Sequence, residues 1–275
     1  MTPTPTTLLT DHPAWTVDSD GTTCRLAAVG ADAWFLAWDG IALVPTRLGG
    51  PDTEGVTAAV ETPAADLPRA PRPLTDALAG LGTVHRLASP TLWEAITSGL
   101  LRRIIRAPQA RALYQRWITA YGAAWDTPAG VMHAVPTPHE VLALAEDQFT
   151  AVGAALHRKA LPAAAAAYLE HGQEWAELAP DDLVKRLQEV SGIGPWTAAC
   201  AAADFTGDYS VYPHGDLAVR TWARKAAPTV SLPEDPKGFE AAWGRWAPDR
   251  TQLHALTTHT LAWGIHARPP VSGRP

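Results

Sequence analysis

A glycine turn between two apolar helical segments is the feature that most constrains how this chain can fold. Leu183 and Leu187, one helical turn apart, mark the inner face of a first helix, and Trp196 begins a second. Between the helices stands Ser191-Gly192-Ile193-Gly194. Glycine admits positive φ angles and lets backbone N–H groups approach a phosphate oxygen at a helix N-terminus. The pattern predicts a helix-hairpin-helix over about 183–203 that holds a phosphate without reading base sequence.

A carboxylate follows the second helix of this hairpin. Asp216 comes after Tyr212-Pro213-His214-Gly215 and opens Asp216-Leu217-Ala218-Val219. An ionised carboxylate under a sugar stabilises the positive charge that develops when an N-glycosidic bond breaks, and it can orient water. Asp216 is also well placed to cap the helix that follows it, and the two roles are compatible. Asp204 and Asp208 are nearby alternatives, but neither precedes the same apolar pattern.

These residues resemble the helix-hairpin-helix (HhH-GPD) superfamily of DNA glycosylases, which carry a Gly/Pro-rich loop and a distal aspartate. Gly-Ile-Gly-Pro-Trp-Thr-Ala, residues 192–198, is most similar to the bacterial 3-methyladenine DNA glycosylase II group. Similarity extends from about Leu81 to Arg250 and includes three further motifs, Ser89–Ile96, Val135–Pro138 and Gly153–Lys159. The resemblance implies a mainly α fold, in which a bilobal HhH glycosylase domain is preceded by a small β-rich (α+β) N-terminal domain.

The resemblance assigns catalysis to Asp216. In the lyase branch of the superfamily, a lysine two positions after the second hairpin glycine attacks the sugar as an amine, whereas here that position is Trp196. An indole cannot form a Schiff base, so we expect a monofunctional enzyme that uses water and leaves an abasic site. Hairpins of this family hold a monovalent cation on backbone carbonyls, which implies Na⁺ or K⁺ at Gln188 and Val190. No other cofactor is expected.

The resemblance also implies a pocket for a base turned out of the duplex. Trp196 is its best wall, because an aromatic face attracts a positively charged alkylated base. Cys200 replaces a second aromatic residue, which gives either a roomier pocket or simply a buried helix cysteine. Arg102 and Arg103 replace the family's glutamine-containing wedge, so Arg103 would fill the gap in the duplex and Arg102 would face the pocket. Alternatively, both arginines contact phosphates.

The predicted DNA contacts come from the hairpin and its surroundings. His214 can contact the substrate backbone, tune the carboxylate, or be only a loop histidine. The predicted DNA-binding residues are Arg103, Gly192, Ile193, Gly194, Thr197 and His214. A net charge of −6 argues mildly against a nucleic acid partner. Five arginines nevertheless fall in one stretch without an acid, Arg102, Arg103, Arg106, Arg111 and Arg116. They indicate either a basic face for phosphate or simply a solvated, arginine-rich helix face.

Composition narrows the class of protein. A chain of 275 residues with 47% apolar and 18% charged residues is typical of soluble globular proteins. No apolar run approaches the ~20 residues of a membrane span, and residues 1–7 lack the basic start of a signal peptide, so we expect a cytoplasmic location. The chain has only Cys24 and Cys200, too few for a disulfide framework, a cysteine zinc site or a four-cysteine iron–sulfur cluster.

The chain divides into a strand-rich start and a helical remainder. Short apolar runs within 22–44 predict strands, and Asp39-Gly40 predicts a hairpin turn. We therefore expect an N-terminal domain over 1–65, a proline-rich linker over 63–73 and a helical glycosylase domain over 66–275. Proline spacing and apolar periodicity place helices near 90–106, 109–121, 138–145, 162–170, 180–189, 195–205, 216–226, 236–245 and 250–263.

Three functions follow from the sequence. The first is a monomeric, monofunctional DNA glycosylase of base excision repair, which flips alkylated bases of the 3-methyladenine or 7-methylguanine type out of double-stranded DNA. The second is the same chemistry on a bulkier or different lesion. The third is a non-catalytic damaged-DNA-binding protein. Asp216 argues against the third function, because a carboxylate beside anionic DNA is costly where binding alone is required.

Overall fold

The computed structural model describes residues 5–50 and 59–267. Residues 1–4, and both outer limits of the predicted domains at residues 1 and 275, lie outside the described residues. Within them the strands are β1 Thr6–Leu8, β2 Thr16–Val17, β3 Thr23–Val29, β4 Asp32–Trp38, β5 Leu43–Gly49, β6 Ala59–Thr62, β7 Thr83–Leu87, β8 Ala124–Thr127 and β9 Gly130–His133. The helices are α1 Arg72–Ala79, α2 Leu92–Arg102, α3 Ala107–Tyr121, α4 Pro138–Ala143, α5 Glu146–Ala151, α6 Ala160–Ala176, α7 Pro180–Leu187, α8 Pro195–Thr206, α9 Leu217–Ala226, α10 Pro236–Trp246 and α11 Arg250–His266.

The strands form three small sheets. Strands β2 to β5 make an antiparallel meander in chain order, and β8 pairs with β9 as a hairpin. A hairpin turn lies at the predicted place, but Trp38 pairs with Leu43, so the turn has four residues, 39–42, and not the two of Asp39-Gly40. The Asp39 carboxylate stabilises it by accepting the N–H groups of Ile41 and Ala42 at 2.7 and 2.8 Å. The third sheet has the order β1-β7-β6, with β7 parallel to β1 and antiparallel to β6.

Strand β7 extends the β-rich region beyond the predicted limit at residue 65. It runs through the predicted helical domain and forms the centre of a sheet whose other strands lie before that limit. The sequence conceals this strand because His85 and Arg86, both ionisable, occupy its middle, and both are buried. The sheet β1-β7-β6 therefore joins the start of the chain to the helical part.

Most of the described helices match the predicted ones within a few residues. The predicted proline-rich linker over 63–73 instead contains a single 3₁₀ turn, Ala64–Asp66, and the start of α1. Pro73 lies within the first turn of α1, where a missing N–H group costs no hydrogen bond. Helix α5 was not predicted. No described helix is both long and apolar enough to cross a membrane.

Two hydrophobic cores give the helical part its two lobes. One core lies among α2, α3 and α6 and includes Trp93, Trp117 and Leu161. The other lies among α1, α9, α10 and α11 and includes Phe239 and Trp243. Helix α8 serves both, because its Ala198, Ala201 and Ala202 pack into the first core and its Cys200 and Ala203 into the second. The hairpin's second helix is therefore the seam between the lobes.

Candidate active site

The predicted hairpin is formed by α7, the turn at 188–194 and α8. Gly192 has φ +87°, and a Cβ atom there would lie 2.7 Å from the Cβ of Ala160 at the start of α6. The fold itself therefore requires glycine at residue 192. Gly194 differs, since its φ is −88° and a Cβ atom there would meet no other atom within 4 Å. Glycine at residue 194 keeps the outer surface of the hairpin bare.

Two hairpin residues predicted to contact DNA have side chains that face inward. Ile193 is 5% exposed and belongs to the first core, and Thr197 is 3% exposed. The methyl group of Thr197 packs against α2, 3.4 Å from where a Cβ atom on Gly99 would stand. These two residues can reach a phosphate only through their backbone. The first turn of α8 has no side-chain cap, so its N–H groups remain available for an anion.

Asp216 has the helix-capping role predicted for it, and it also binds Trp196. Its Oδ2 accepts the N–H of Ala218 at 3.0 Å and so caps α9. Its Oδ1 accepts the indole N–H of Trp196 at 2.9 Å, which joins the catalytic candidate to the first turn of α8. Both side chains are half-buried. The carboxylate is thus fixed by two donors at the mouth of the hairpin and remains partly open to solvent.

The loop that carries Asp216 is held from both sides. The N–H of Asp216 donates to the carbonyl of Pro213 at 2.9 Å, which closes a turn. The carbonyl of Gly215 accepts from Arg220 at 2.9 Å, and the N–H of Gly215 donates to Glu240 at 3.1 Å. Side chains of α9 and α10 therefore set the position of the carboxylate before any ligand arrives.

The two alternative carboxylates are engaged elsewhere. Asp204 is fully buried and accepts from Arg86 at 2.6 Å, from the hydroxyl of Tyr209 at 2.9 Å, and from Arg102. Asp208 accepts from Arg250 at 2.6 Å and from the N–H of Ser210 at 2.8 Å. Neither carboxylate adjoins the hairpin turn with a free oxygen, so Asp216 remains the catalytic candidate.

Arg102 is part of the interior rather than a free wall of the base pocket. Its guanidinium forms an ion pair with Asp204, and its side chain is 12% exposed. Through Asp204 it is joined to Arg86 of β7, so the ion pair ties the end of α2 to both α8 and the sheet. The prediction that Arg102 faces the pocket is corrected in this respect: a buried carboxylate more than 100 residues away holds the guanidinium.

Arg103 does not project as a wedge. Its guanidinium donates to the carbonyl of Gly192 at 2.6 Å and to that of Leu156 at 3.4 Å, so it lies along the protein surface. The next residue, Ile104, projects instead. Ile104 is 88% exposed and has φ +69°, the only positive φ of a non-glycine residue in the described part of the chain.

The predicted basic face is only partly present on the described surface. Arg111 donates to the carbonyls of Trp15 and Thr10, and Arg102 is held by Asp204. Arg116 is exposed, although it donates to the carbonyl of Val152 at 3.0 Å. Of the five arginines, Arg106 and Arg116 are exposed and the other three are half-buried.

Cys200, predicted for the base pocket, and His214, predicted to bind DNA, are both at least partly buried. Cys200 is fully buried in the second core, which raises the pKa of its thiol well above the usual value, while nearby Arg102 only partly opposes this shift. The structure thus agrees with the buried-cysteine alternative. His214 is half-buried, and burial lowers its pKa to about 4, so the ring is neutral near pH 7.

The hairpin carbonyls fit a monovalent cation in donor type. The carbonyl of Val190 accepts the N–H of Ile193 at 3.0 Å and retains a second lone pair, and hard cations prefer oxygen donors of this kind. Among the described residues, no group of three or more His, Cys, Asp or Glu side chains could hold a metal ion.

A separate cavity of about 460 Å³ lies between the meander, the β8–β9 hairpin and the start of α2. Its walls include Thr91, Tyr114 and His133, and none of the predicted site residues lines it. This cavity is therefore a feature separate from the site at Asp216.

Comparisons with known proteins agree with this arrangement. No family profile matches the chain. A segment of 85 residues, 31% of the chain, is 31% identical to the probable bifunctional transcriptional activator/DNA repair enzyme AlkA of two Mycobacterium tuberculosis strains. The chain spans 16% of the length of those relatives.

Solved structures match over nearly the whole chain. The 3-methyladenine DNA glycosylase from Archaeoglobus fulgidus is 18% identical, with 93% of this chain and 90% of that chain covered and a TM-score of 0.68. The Clostridium acetobutylicum 8-oxoguanine glycosylase/lyase bound to double-stranded DNA is 16% identical, with 93% and 88% covered and a TM-score of 0.68. MBOgg1 with a low-affinity DNA ligand is also 16% identical and has a TM-score of 0.68. The chain has the helix-hairpin-helix DNA glycosylase fold.

Within this glycosylase fold, sequence reasoning missed the parts played by two residues near the hairpin, Ile104 and Asp204. Ile104 follows the two arginines and carries no charge, so nothing in its residue type distinguishes it from a core position. Asp204 was weighed only as a catalytic alternative, whereas it anchors Arg102. A signal for Asp204 did exist, since a lone acid within an alanine-rich helix, as here, requires a buried cationic partner.

Proposed function

We propose that this protein is a DNA glycosylase of base excision repair that hydrolyses the N-glycosidic bond of a damaged base in double-stranded DNA. The observation that carries the proposal is the fixed carboxylate of Asp216, which accepts from Trp196 and Ala218 at the mouth of a hairpin with bare backbone donors. A phosphate held at the start of α8 would place the adjoining sugar near this carboxylate.

The chemistry follows from the charge that develops on the sugar. As the bond to the base lengthens, the sugar acquires oxocarbenium character, and the ionised Asp216 stabilises it by electrostatic attraction. The same carboxylate can orient the attacking water. Its two donors are already in place, so little reorganisation accompanies the reaction.

We further propose that the enzyme lacks lyase activity. The four lysines of the chain are Lys159, Lys185, Lys225 and Lys237, and none lies in the hairpin turn or in the loop before Asp216. The residue at the corresponding position, Trp196, donates its N–H to Asp216 and has no amine. Water is then the nucleophile, and an abasic site is the product.

Alkylated bases are the proposed substrates. Such bases carry positive charge, and the half-buried indole of Trp196 provides an electron-rich face beside the carboxylate. The solved structures of similar fold are named as acting on 3-methyladenine or on 8-oxoguanine, so a different lesion is the second candidate. A non-catalytic damaged-DNA-binding role is the third.

Ile104 is the proposed wedge in place of Arg103. Extruding a base leaves a gap in the stack that an apolar side chain can fill. Ile104 is the most exposed large apolar side chain of the described residues, and it adjoins the hairpin through Arg103. Carbonyls of Gln188 and Val190 would hold Na⁺ or K⁺, which would supply positive charge near the same phosphate. The protein is proposed to act as a monomer.

The test compares base release by the wild type and Asp216→Asn on duplex DNA treated with a methylating agent. Asparagine also caps helices, so the fold should persist while base release falls by roughly 10³-fold or more, as is usual when a catalytic group is removed. Asp235→Asn is the matched control, because Asp235 caps α10 in the same way through Gly238. Strand breaks should appear only after hot alkali.

Other results would redirect the proposal. Breaks without alkali would demonstrate lyase activity and overturn the monofunctional assignment. Release from oxidised but not methylated DNA would favour the second candidate. Tight binding of damaged duplex with no release from methylated, deaminated, oxidised or bulky-adduct DNA would favour the non-catalytic role.

A further inference from the structure

Three segments beside the hairpin meet at one side chain. Arg103, at the end of α2, donates to the carbonyl of Gly192 in the hairpin turn at 2.6 Å. The other terminal nitrogen of the same guanidinium donates to the carbonyl of Leu156 at 3.4 Å, within the 3₁₀ turn Ala155–His157. A planar guanidinium suits this arrangement because its donors form a rigid fork.

The residue held next to this fork is strained. Ile104 has φ +69°, a conformation that β-branched residues rarely adopt. Such a conformation persists only where the surrounding structure enforces it. Along the chain, Ile104 is constrained from both directions. Before it, Arg102 is fixed by its buried ion pair with Asp204, and after it, α3 begins at Ala107. Arg103 supplies the remaining constraint, across to the hairpin.

We infer that Arg103 is a positioning residue that holds Ile104 outward and makes the wedge and the hairpin one rigid unit. The inference rests on the proposed function, in which Ile104 fills the gap left by an extruded base. When the hairpin binds a phosphate, Ile104 would then enter the duplex without first having to be ordered. Arg103 thus acts through Ile104 and not by insertion.

The surroundings of Arg103 suit this role. His157 lies beside the guanidinium, and burial, followed by the charge of Arg103, lowers the His157 pKa to about 4. The histidine is therefore neutral at pH 7 and does not repel the arginine. Leu156 is 71% exposed, so the turn that offers its carbonyl is itself at the surface beside the wedge.

The experiment uses the full chain and a duplex with a tetrahydrofuran abasic analogue opposite 2-aminopurine, whose fluorescence rises when it is unstacked. Arg103→Met removes the charge and both bonds, while Arg103→Lys keeps the charge but cannot span both carbonyls. Arg106→Met is the control for charge, since Arg106 is exposed in the same loop. Ile104→Ala shows the 2-aminopurine fluorescence that is expected when the wedge is missing.

Both Arg103 variants are expected to resemble Ile104→Ala, with loss of the fluorescence change and a drop of about tenfold in preference for abasic over intact duplex. Arg106→Met should keep both and lose only general affinity. Full fluorescence change in Arg103→Met and Arg103→Lys would overturn the inference, as would equal effects of Arg103→Met and Arg106→Met. If Arg103→Met fails to fold, Arg103→Lys alone decides.

This readout requires no base release, so it separates the two proposals. Loss of the fluorescence change in the Arg103 variants, together with an inactive wild type, would leave the positioning role intact and refute the glycosylase. An active wild type, together with Arg103 variants that keep the fluorescence change, would support the glycosylase and refute the positioning role. A single-turnover rate that falls in Arg103→Lys at saturating enzyme would add that the affected step follows binding.

Discussion

In the proposed function, the 2.9 Å hydrogen bond between Trp196 and Asp216 would link the wall of the base pocket to the catalytic carboxylate. The indole N–H stabilises the ionised carboxylate and fixes its orientation, while the ring face remains available for a base. Phenylalanine at residue 196 would keep the ring and remove the donor. Its effect therefore separates these two contributions.

We predict that Trp196→Phe lowers the single-turnover rate of base release by roughly 10- to 100-fold, because a hydrogen bond to a charged group contributes about 1.5–3 kcal/mol. Affinity for abasic duplex should change by no more than about threefold, since the aromatic face remains. The control is Trp222→Phe, because Trp222 is also half-buried but lies on α9. An unchanged rate would mean that the bond is incidental.

Whole elements show what sequence could and could not predict. The hairpin and most helices were predictable because their apolar periodicity and proline starts are local signals. Helix α1 was hidden, since the prolines at its start, Pro71 and Pro73, also mark linkers. The opposite directions of Arg102 and Arg103 were hidden as well. Arg102 points toward Asp204 and Arg103 toward the carbonyl of Gly192. Both partners are distant in sequence, so no local pattern predicts either direction.

The hairpin turn also permits a paired prediction on its two glycines. Gly192→Ala should lower the thermal midpoint and the affinity for DNA together, because φ is +87° and the new methyl meets Ala160 at 2.7 Å. Gly194→Ala should leave the thermal midpoint nearly unchanged, because its methyl meets no atom within 4 Å. DNA affinity should still fall, since the methyl obstructs the approach of a phosphate. Equal thermal midpoints for the two variants would contradict this assignment.

At the scale of the whole molecule, several ionisable side chains of the described residues are buried, among them Arg25, Arg86 and Asp204. One network joins Arg86, Arg102 and Asp204, and another joins Arg25 to Glu94 at 2.6 Å between the meander and α2. Arg25, Arg86 and Arg102 thus attach the strand-rich part to the helical part, and Arg102 is one of the five arginines from which a basic face is predicted. In the proposed function, we therefore expect the backbone of the hairpin to contribute to phosphate binding together with the arginines that stay exposed.

The same burial predicts a steep loss of stability in acid. Burial lowers the pKa of five histidines, to about 4 for His157 and His214 and below the usual value for His12, His254 and His259. As pH falls from about 6.5 toward 4, the unfolded chain takes up protons at these sites and the folded chain does not, so unfolding is favoured. For each pH unit of acidification in this range, each site lowers the free energy of unfolding by at most about 1.4 kcal/mol.

The urea midpoint, measured at intervals between pH 7.5 and 4, tests this. We expect it to fall steadily below about pH 6.5, with the decline at the histidine sites ending near their folded pKa values. His157→Gln removes one such site and should make the fall shallower by up to one proton, whatever its effect on stability at pH 7. His139→Gln, at an exposed histidine of α4, is the matched control. A midpoint that stays level down to pH 5 would show that these rings are protonated in the folded protein, and the burial argument would then fail.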